Sequence, residues 1–297
     1  MMKNQSVTGG LYAFCAFLTW GFLPIYWKAF EKTAAIEILA HRIFWSLIFL
    51  ILIVLIRKKW REFTLIFKNR RIILILTATS ILICINWLTF IWAINANHIV
   101  ETSLGYFINP LMNVVLGVVL LKEKLNRLQK IAVLLSVIGV LVSVIKFGEF
   151  PWIAIVLALS LASYGFLRKI VTVESLVGLT FETLLVAPFA FGFIIYNLMT
   201  KQGSFLQNHQ LDLIFLGAGI VTATPLVWFA CAARKLKLST VGFFQYLAPS
   251  CHLFIAIYVY NEPFTQTNFY TFGFIWLALI VYSYDSLILR SYKQWRQ

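Results

Sequence analysis

The chain has 297 residues, 61% of them hydrophobic and only 12% charged, with a formal net charge of +14. Water-soluble domains carry roughly twice that share of charge, so a soluble fold is excluded for want of polar groups to cover its surface. The basic balance does not point to nucleic acid, because the Lys and Arg are gathered between apolar runs, as membrane topology alone requires; the expected partner is the lipid bilayer.

A spanning helix needs roughly 20 mostly apolar residues. Ten runs qualify, at 8–28, 36–56, 72–94, 103–121, 128–145, 151–168, 177–198, 212–233, 240–260 and 268–289. The first continues through Trp20, Tyr26 and Trp27 without a small-residue cleavage pattern, so it reads as a retained helix. Ile48–Ile56 and Val114–Leu121 are apolar on every side, which selects helices over the alternating strands of a barrel. The longest polar connection is Arg57–Arg71, and its Arg57-Lys58-Lys59-Trp60-Arg61 suits anionic lipid headgroups. The predicted fold class is all-α integral membrane with ten transmembrane helices.

Ten helices put both termini on one side. That side collects 20 Lys and Arg, against four on the other (Lys28, Lys32, Lys146 and Lys201), with Arg42 inside a run. Basic loops stay in the cytoplasm, so both termini of this multi-pass chain are predicted to be cytoplasmic.

Two stretches repeat each other. Leu104-Gly105-Tyr106-Phe107-Ile108-Asn109-Pro110 and Val241-Gly242-Phe243-Phe244-Gln245-Tyr246-Leu247-Ala248-Pro249 are offset by 139 residues, and each reaches a Glu thirteen residues after its Pro, at Glu123 and Glu262. Trp20-Gly21 resembles Tyr164-Gly165, and Glu37 resembles Glu182. The chain therefore divides into a first five-helix repeat, 1–147, and a second, 148–297. Five is odd, so the second copy is inverted in the membrane. Gly/Pro-interrupted runs at matching places in two halves point to a transporter's binding site.

In the fourth run Tyr106, Asn109 and Asn113 share one helical face. The offset maps Tyr106 onto Gln245, Pro110 onto Pro249 and Asn113 onto His252, again on one face. Unpaired amides are costly in lipid, so the two stripes are expected to face a shared aqueous cavity; interhelical hydrogen bonding is the plainer alternative. Pro110 and Pro249 free a carbonyl near Tyr106 and Gln245. Tyr246 and Asn86 join the cavity-lining candidates. Trp20, Trp92 and Trp228 offer flat apolar surface, although Trp in such chains often sits in interfacial belts. Glu37, His41, Arg42 and Glu182 are gate or coupling candidates. Glu37 and His41 face the same way. Arg42 and Glu182 should lie at different depths, so no direct pair between them is expected. Arg42 can steer an anionic group or anchor at the interface.

His41-Arg42-Ile43-Phe44-Trp45-Ser46, Asn86-Trp87-Leu88-Thr89-Phe90-Ile91-Trp92-Ala93, Glu101-Thr102-Ser103-Leu104-Gly105-Tyr106-Phe107-Ile108-Asn109-Pro110-Leu111 and Leu238-Ser239-Thr240-Val241-Gly242-Phe243-Phe244-Gln245-Tyr246 together resemble the RarD proteins of the EamA group, in the drug/metabolite transporter superfamily. The resemblance spans nearly the whole chain. It implies a ten-helix, inverted-repeat inner-membrane transporter that exports small metabolites or drugs. The family label includes chloramphenicol sensitivity, a phenotype that leaves the native substrate open.

No G-x-x-x-x-G-K-[ST], C-x-x-C, H-E-x-x-H or G-x-S-x-G occurs. No cofactor, metal or enzymatic activity is predicted, and the four Cys read as free thiols in apolar helices. The leading expectation is a secondary transporter of a small-molecule substrate by alternating access. Glu37, His41, Glu182 and His252 motivate proton coupling; uniport or exchange fits equally. A membrane-embedded lipid-acting enzyme using Glu37 and His41, or a non-transporting membrane partner protein, remain the alternatives.

Overall fold

A backbone in lipid must satisfy its own hydrogen bonds within each segment, so long apolar runs become helices. In the computed structural model, which describes residues 2–30, 33–96, 98–261 and 264–284, every predicted run is helical. They form α1 (Met2–Trp27), α2 (Ala35–Ile56), the short α3 (Trp60–Ile66), α4 (Arg70–Asn95), α5 (Ile99–Val119), α6 (Arg127–Phe147), α7 (Trp152–Ile170), α8 (Ser175–Thr200), α9 (His209–Lys235), α10 (Leu238–Gln245), α11 (Leu247–Tyr258) and α12 (Gln266–Tyr284). There is no strand among the described residues.

Nine segments among the described residues are long and apolar enough to cross a membrane, from Gln5–Phe30 to Leu238–Tyr258. The protein is a multi-pass membrane protein. α12 is not one of the nine, and the end of the expected tenth run lies outside the described residues. Glu262, the repeat partner of Glu123, also lies outside them.

Two features depart from the sequence reading. The polar connection Arg57–Arg71 holds α3, which buries Phe63 and Ile66 at helical spacing. Beside it Lys59 bridges Glu62 at 2.6 Å and Glu174 at 2.9 Å, tying α3 to the start of α8. Hydrogen bonds to those two carboxylates push the Lys59 ammonium up to about 12. The second departure concerns the two prolines. α5 runs unbroken through Pro110, whereas the ninth run breaks at Tyr246 into α10 and α11, three residues ahead of Pro249.

Packing is reciprocal. α1 lies on α9 and α7 on α4; α5 lies on α7 and α11 on α1; α2 lies on α9 and α8 on α4. Three further pairs are α2 with α8, α6 with α12, and α5 with α10. Exchanging each helix for the one at the same place in the other group of five maps these contacts onto one another. The bundle has a basic end, which holds the 57–69 and 120–126 connections, and an opposite end with the 201–208 connection.

Candidate functional site

The two polar stripes meet. Asn113 Nδ2 donates to Asn109 Oδ1 at 3.1 Å and to Gln245 Oε1 at 2.5 Å, and all three side chains are buried. This contact lies where α5 crosses α10. A Cβ at Gly242 would stand 2.6 Å from the Pro110 carbonyl oxygen, so only glycine allows the two backbones this close. The amides here are turned to each other and not to open space, while Asn113 Oδ1 keeps no partner.

Toward the opposite end α5 and α11 part. There the Tyr106 ring stands edge-on to His252 at 5.7 Å between centroids. Tyr106 is 39% accessible, so its face of α5 borders open space. His252 Nε2 lies 3.2 Å from the Trp20 carbonyl oxygen.

Other expected cavity residues are placed elsewhere. Tyr246 is buried against Val114, Ala132 and Ile275, between α5, α6 and α12. Successive helical residues turn by about 100°, so Gln245 and Tyr246 cannot serve the same face. Asn86 Nδ2 donates to the Leu157 carbonyl at 2.9 Å and to Ser160 Oγ at 3.0 Å, joining α4 to α7.

Arg42 sits seven residues into α2 from the end opposite the basic one, about 10 Å deep at the helical rise. Its guanidinium lies 4.6 Å from the Trp27 ring and 5.0 Å from the Trp87 ring. Its Nε donates to Thr222 Oγ1 at 3.1 Å. It has no ion-pair partner among the described residues.

Glu182 on α8, one of the gate or coupling candidates, faces Arg168 near the end of α7. Both are buried, Arg168 completely, and they pair at 3.1 Å. Thr79 Oγ1 and Tyr164 OH also donate to Glu182, at 2.6 and 3.1 Å, and Arg168 Nη2 donates to the Ser175 carbonyl. A Cβ at Gly178 would come 2.2 Å from Arg168 Nη1, so glycine makes the space that the guanidinium fills. Two buried opposite charges attract strongly enough to hold an arginine inside the bundle when hydrogen bonds complete its shell.

A cavity borders Glu182 and reaches Trp87 and Thr222, two side chains that Arg42 touches. Ser46, Cys84, Trp87, Tyr164, Glu182 and Thr222 border it, so α2, α4, α7, α8 and α9 all contribute. Glu182 marks its wall toward the basic end; Thr222 and Trp87 mark its wall toward Arg42. Arg42 and Glu182 are not paired with each other, as their depths predict.

Glu37 and His41 do not form a pair. Glu37 accepts the backbone N–H groups of Ser204 at 2.6 Å and Phe205 at 3.3 Å, pinning the 201–208 connection. His41 lies between the Phe205 and Phe215 rings and accepts from Trp45 Nε1 at 3.2 Å. Both are buried. The four cysteines are free thiols, and no His/Cys/Asp/Glu group suited to a metal occurs among the described residues.

The basic end is fastened across the bundle. Glu123 accepts from the Leu238 and Ser239 backbone N–H groups, at 2.6 and 3.1 Å, and from Ser239 Oγ at 2.6 Å. Lys169 Nζ donates to the Ala233 and Leu236 carbonyls. Glu123→Gln replaces charge-assisted bonds with neutral ones of about half the strength. It is expected to loosen the start of α10, measured as faster modification of a cysteine placed at Ser239 by a membrane-impermeant maleimide.

Trp27, Trp87, Thr222, Tyr164 and Arg168 were missing from the sequence-derived site. Trp87 follows Asn86 by one residue, about 100° around the helix, and it is Trp87 that borders the cavity. Arg42 was itself the available signal, since an intramembrane cation implies nearby aromatic or polar company.

Residues 7–145 match the family model described as the EamA-like transporter family. The chain is 44% identical to an uncharacterized transporter of Vibrio cholerae over 96% of its own length and 95% of that protein's. It is 40% identical to the uncharacterized transporter YojE of Bacillus subtilis, over 97% of each chain, and 40% identical to protein RarD of Escherichia coli, again over 97% of each. A crystal structure of another protein, 14% identical, superposes with a TM-score of 0.73 over 93% of this chain and 97% of that one; this likeness concerns the fold alone. The similarity to these relatives is that of a membrane transporter. The chain belongs to the EamA-like transporter family of the drug/metabolite transporter superfamily, among the RarD proteins.

Proposed function

We propose that this chain is a secondary transporter, working as an exporter of small metabolites or drug-like molecules across the bacterial inner membrane by alternating access. The observation that carries the reading is the cavity bordered by Glu182, Trp87 and Thr222, to which helices of both five-helix groups contribute and against which Arg42 lies. A catalytic site needs a reacting pair, and a mere partner protein needs no polar space between its halves. The division into inverted repeats, 1–147 and 148–297, is supported by the reciprocal packing of the helices. With both termini cytoplasmic, the basic end is the inner one. The Glu123, Lys169 and Asn113–Gln245 contacts then close the cytoplasmic side, while the parting of α5 from α11 at Tyr106 and His252 opens the outer side. Transport would rock the two groups about the α5–α10 crossing. Proton coupling is assigned to Glu182, because it borders the cavity, whereas Glu37 and His41 are engaged at the outer end.

Asn113→Leu combined with His252→Leu is expected to abolish flux in reconstituted vesicles while leaving membrane insertion intact. Full retained flux would sink the assignment of the two stripes to the transport path.

A further inference from the structure

We infer that Arg42 is the binding group for an anionic, carboxylate-bearing substrate with a flat apolar body. This rests on the transporter reading above and adds a substrate class to it. The charge that borders the cavity and the one next to it are unequal. Glu182, in the wall, is already neutralised by Arg168 at 3.1 Å and receives Thr79 and Tyr164 as well. Arg42, set against the wall residues Trp87 and Thr222, has no carboxylate partner among the described residues; its bond to Thr222 uses Nε and leaves the forked Nη1 and Nη2 edge without a side-chain partner among them.

An arginine fork matches a carboxylate with two parallel hydrogen bonds. Held within the membrane and away from bulk water, such a pair is far stronger than at a surface. An unpaired guanidinium attracts an anionic group, leaves a neutral one unrewarded and repels a cationic one. The rest of the substrate is read from the walls. Trp27 and Trp87 flank the guanidinium, fixing its plane by cation–π contact. Trp87 also borders the cavity, and Tyr106, 39% accessible, opposes His252 on the neighbouring helices. Aromatic faces of this kind take planar or apolar bodies and offer few hydrogen bonds to polyhydroxylated ones.

The test uses three probes that share a ring and differ in charge: indole-3-acetate, indole-3-acetamide and tryptamine. Thermal unfolding of the purified full chain in detergent is followed with each at millimolar concentration. Indole-3-acetate is expected to raise Tm above the other two. Arg42→Gln should weaken its apparent affinity at least tenfold, and Arg42→Lys should keep part of it, since the charge remains without the fork. Equal stabilisation by the amide or the amine, no stabilisation by the carboxylate, or an unchanged preference in Arg42→Gln overturns the inference. A second arm compares metabolites retained and released by cells with and without the chain. Chain-dependent compounds bearing a net negative charge support the inference. Neutral or cationic ones overturn it and leave the transporter reading standing. If no compound depends on the chain, the transporter reading itself fails.

Discussion

Glu182→Leu is expected to lower the unfolding free energy by about 3–5 kcal/mol, the usual cost of leaving one member of a buried pair without its partner. The guanidinium of Arg168 is fully buried, already has an unpartnered Nε, and would lose its only carboxylate among the described residues. Thr79 and Tyr164 would lose an acceptor at the same time. The double variant Arg168→Met with Glu182→Leu removes both charges and should recover most of that loss, because well-packed apolar replacements of a buried pair are often neutral. Thermal unfolding in detergent or bicelles measures both. A double variant as unstable as the single one would mean that Glu182 acts through packing and not through its charge.

Gly242→Val is expected to abolish transport and to open the basic end. Its Cβ would meet the Pro110 carbonyl oxygen at 2.6 Å, a contact that no rotamer change relieves because the oxygen is backbone and the Cβ is fixed by its own Cα. Overpacking of this kind costs about 1–3 kcal/mol, and relief requires α5 and α10 to separate. Separation breaks the Asn113–Gln245 bond that crosses the same interface. The variant should therefore expose a cysteine placed at Asn113 to reagents added from the cytoplasmic side. A variant that transports normally, with position 113 still protected, would show that this crossing does not govern access.

Much of the architecture was legible from hydropathy. Every predicted apolar run corresponds to helix among the described residues, because the requirement for internally bonded backbone acts within one segment. The 139-residue repeat picked out α5 and the α10–α11 segment, and helical phase singled out Tyr106, Asn113, Gln245 and His252; where an aqueous space was expected between them, Asn113 bonds Gln245 directly and Tyr106 meets His252. The site was only half legible. Asn86 and Gln245 are polar in either role, as cavity lining or as interhelical bond, and sequence phase cannot separate the two. Arg168 lies at the end of α7 beside Lys169, where a run of basic residues looks like a connection; only the approach of Gly178 on α8 turns it inward. Glu37 faces the same way as His41 along its helix, but the backbone that claims it comes from residues 204 and 205, far away in the chain.

The sequence by itself determined that this chain is a helical membrane protein with a repeated polar stripe and an isolated intramembrane arginine, since burial of backbone in lipid and helical phase are local properties. Which charges neutralise each other was decided by tertiary structure alone. Glu182 took Arg168, Glu37 took a connecting loop, and Arg42 was left between two tryptophans, beside the cavity wall. The physical reason is that an ion pair depends on separations of a few ångströms between helices, and helix-to-helix registry is set by packing that no single run of residues encodes.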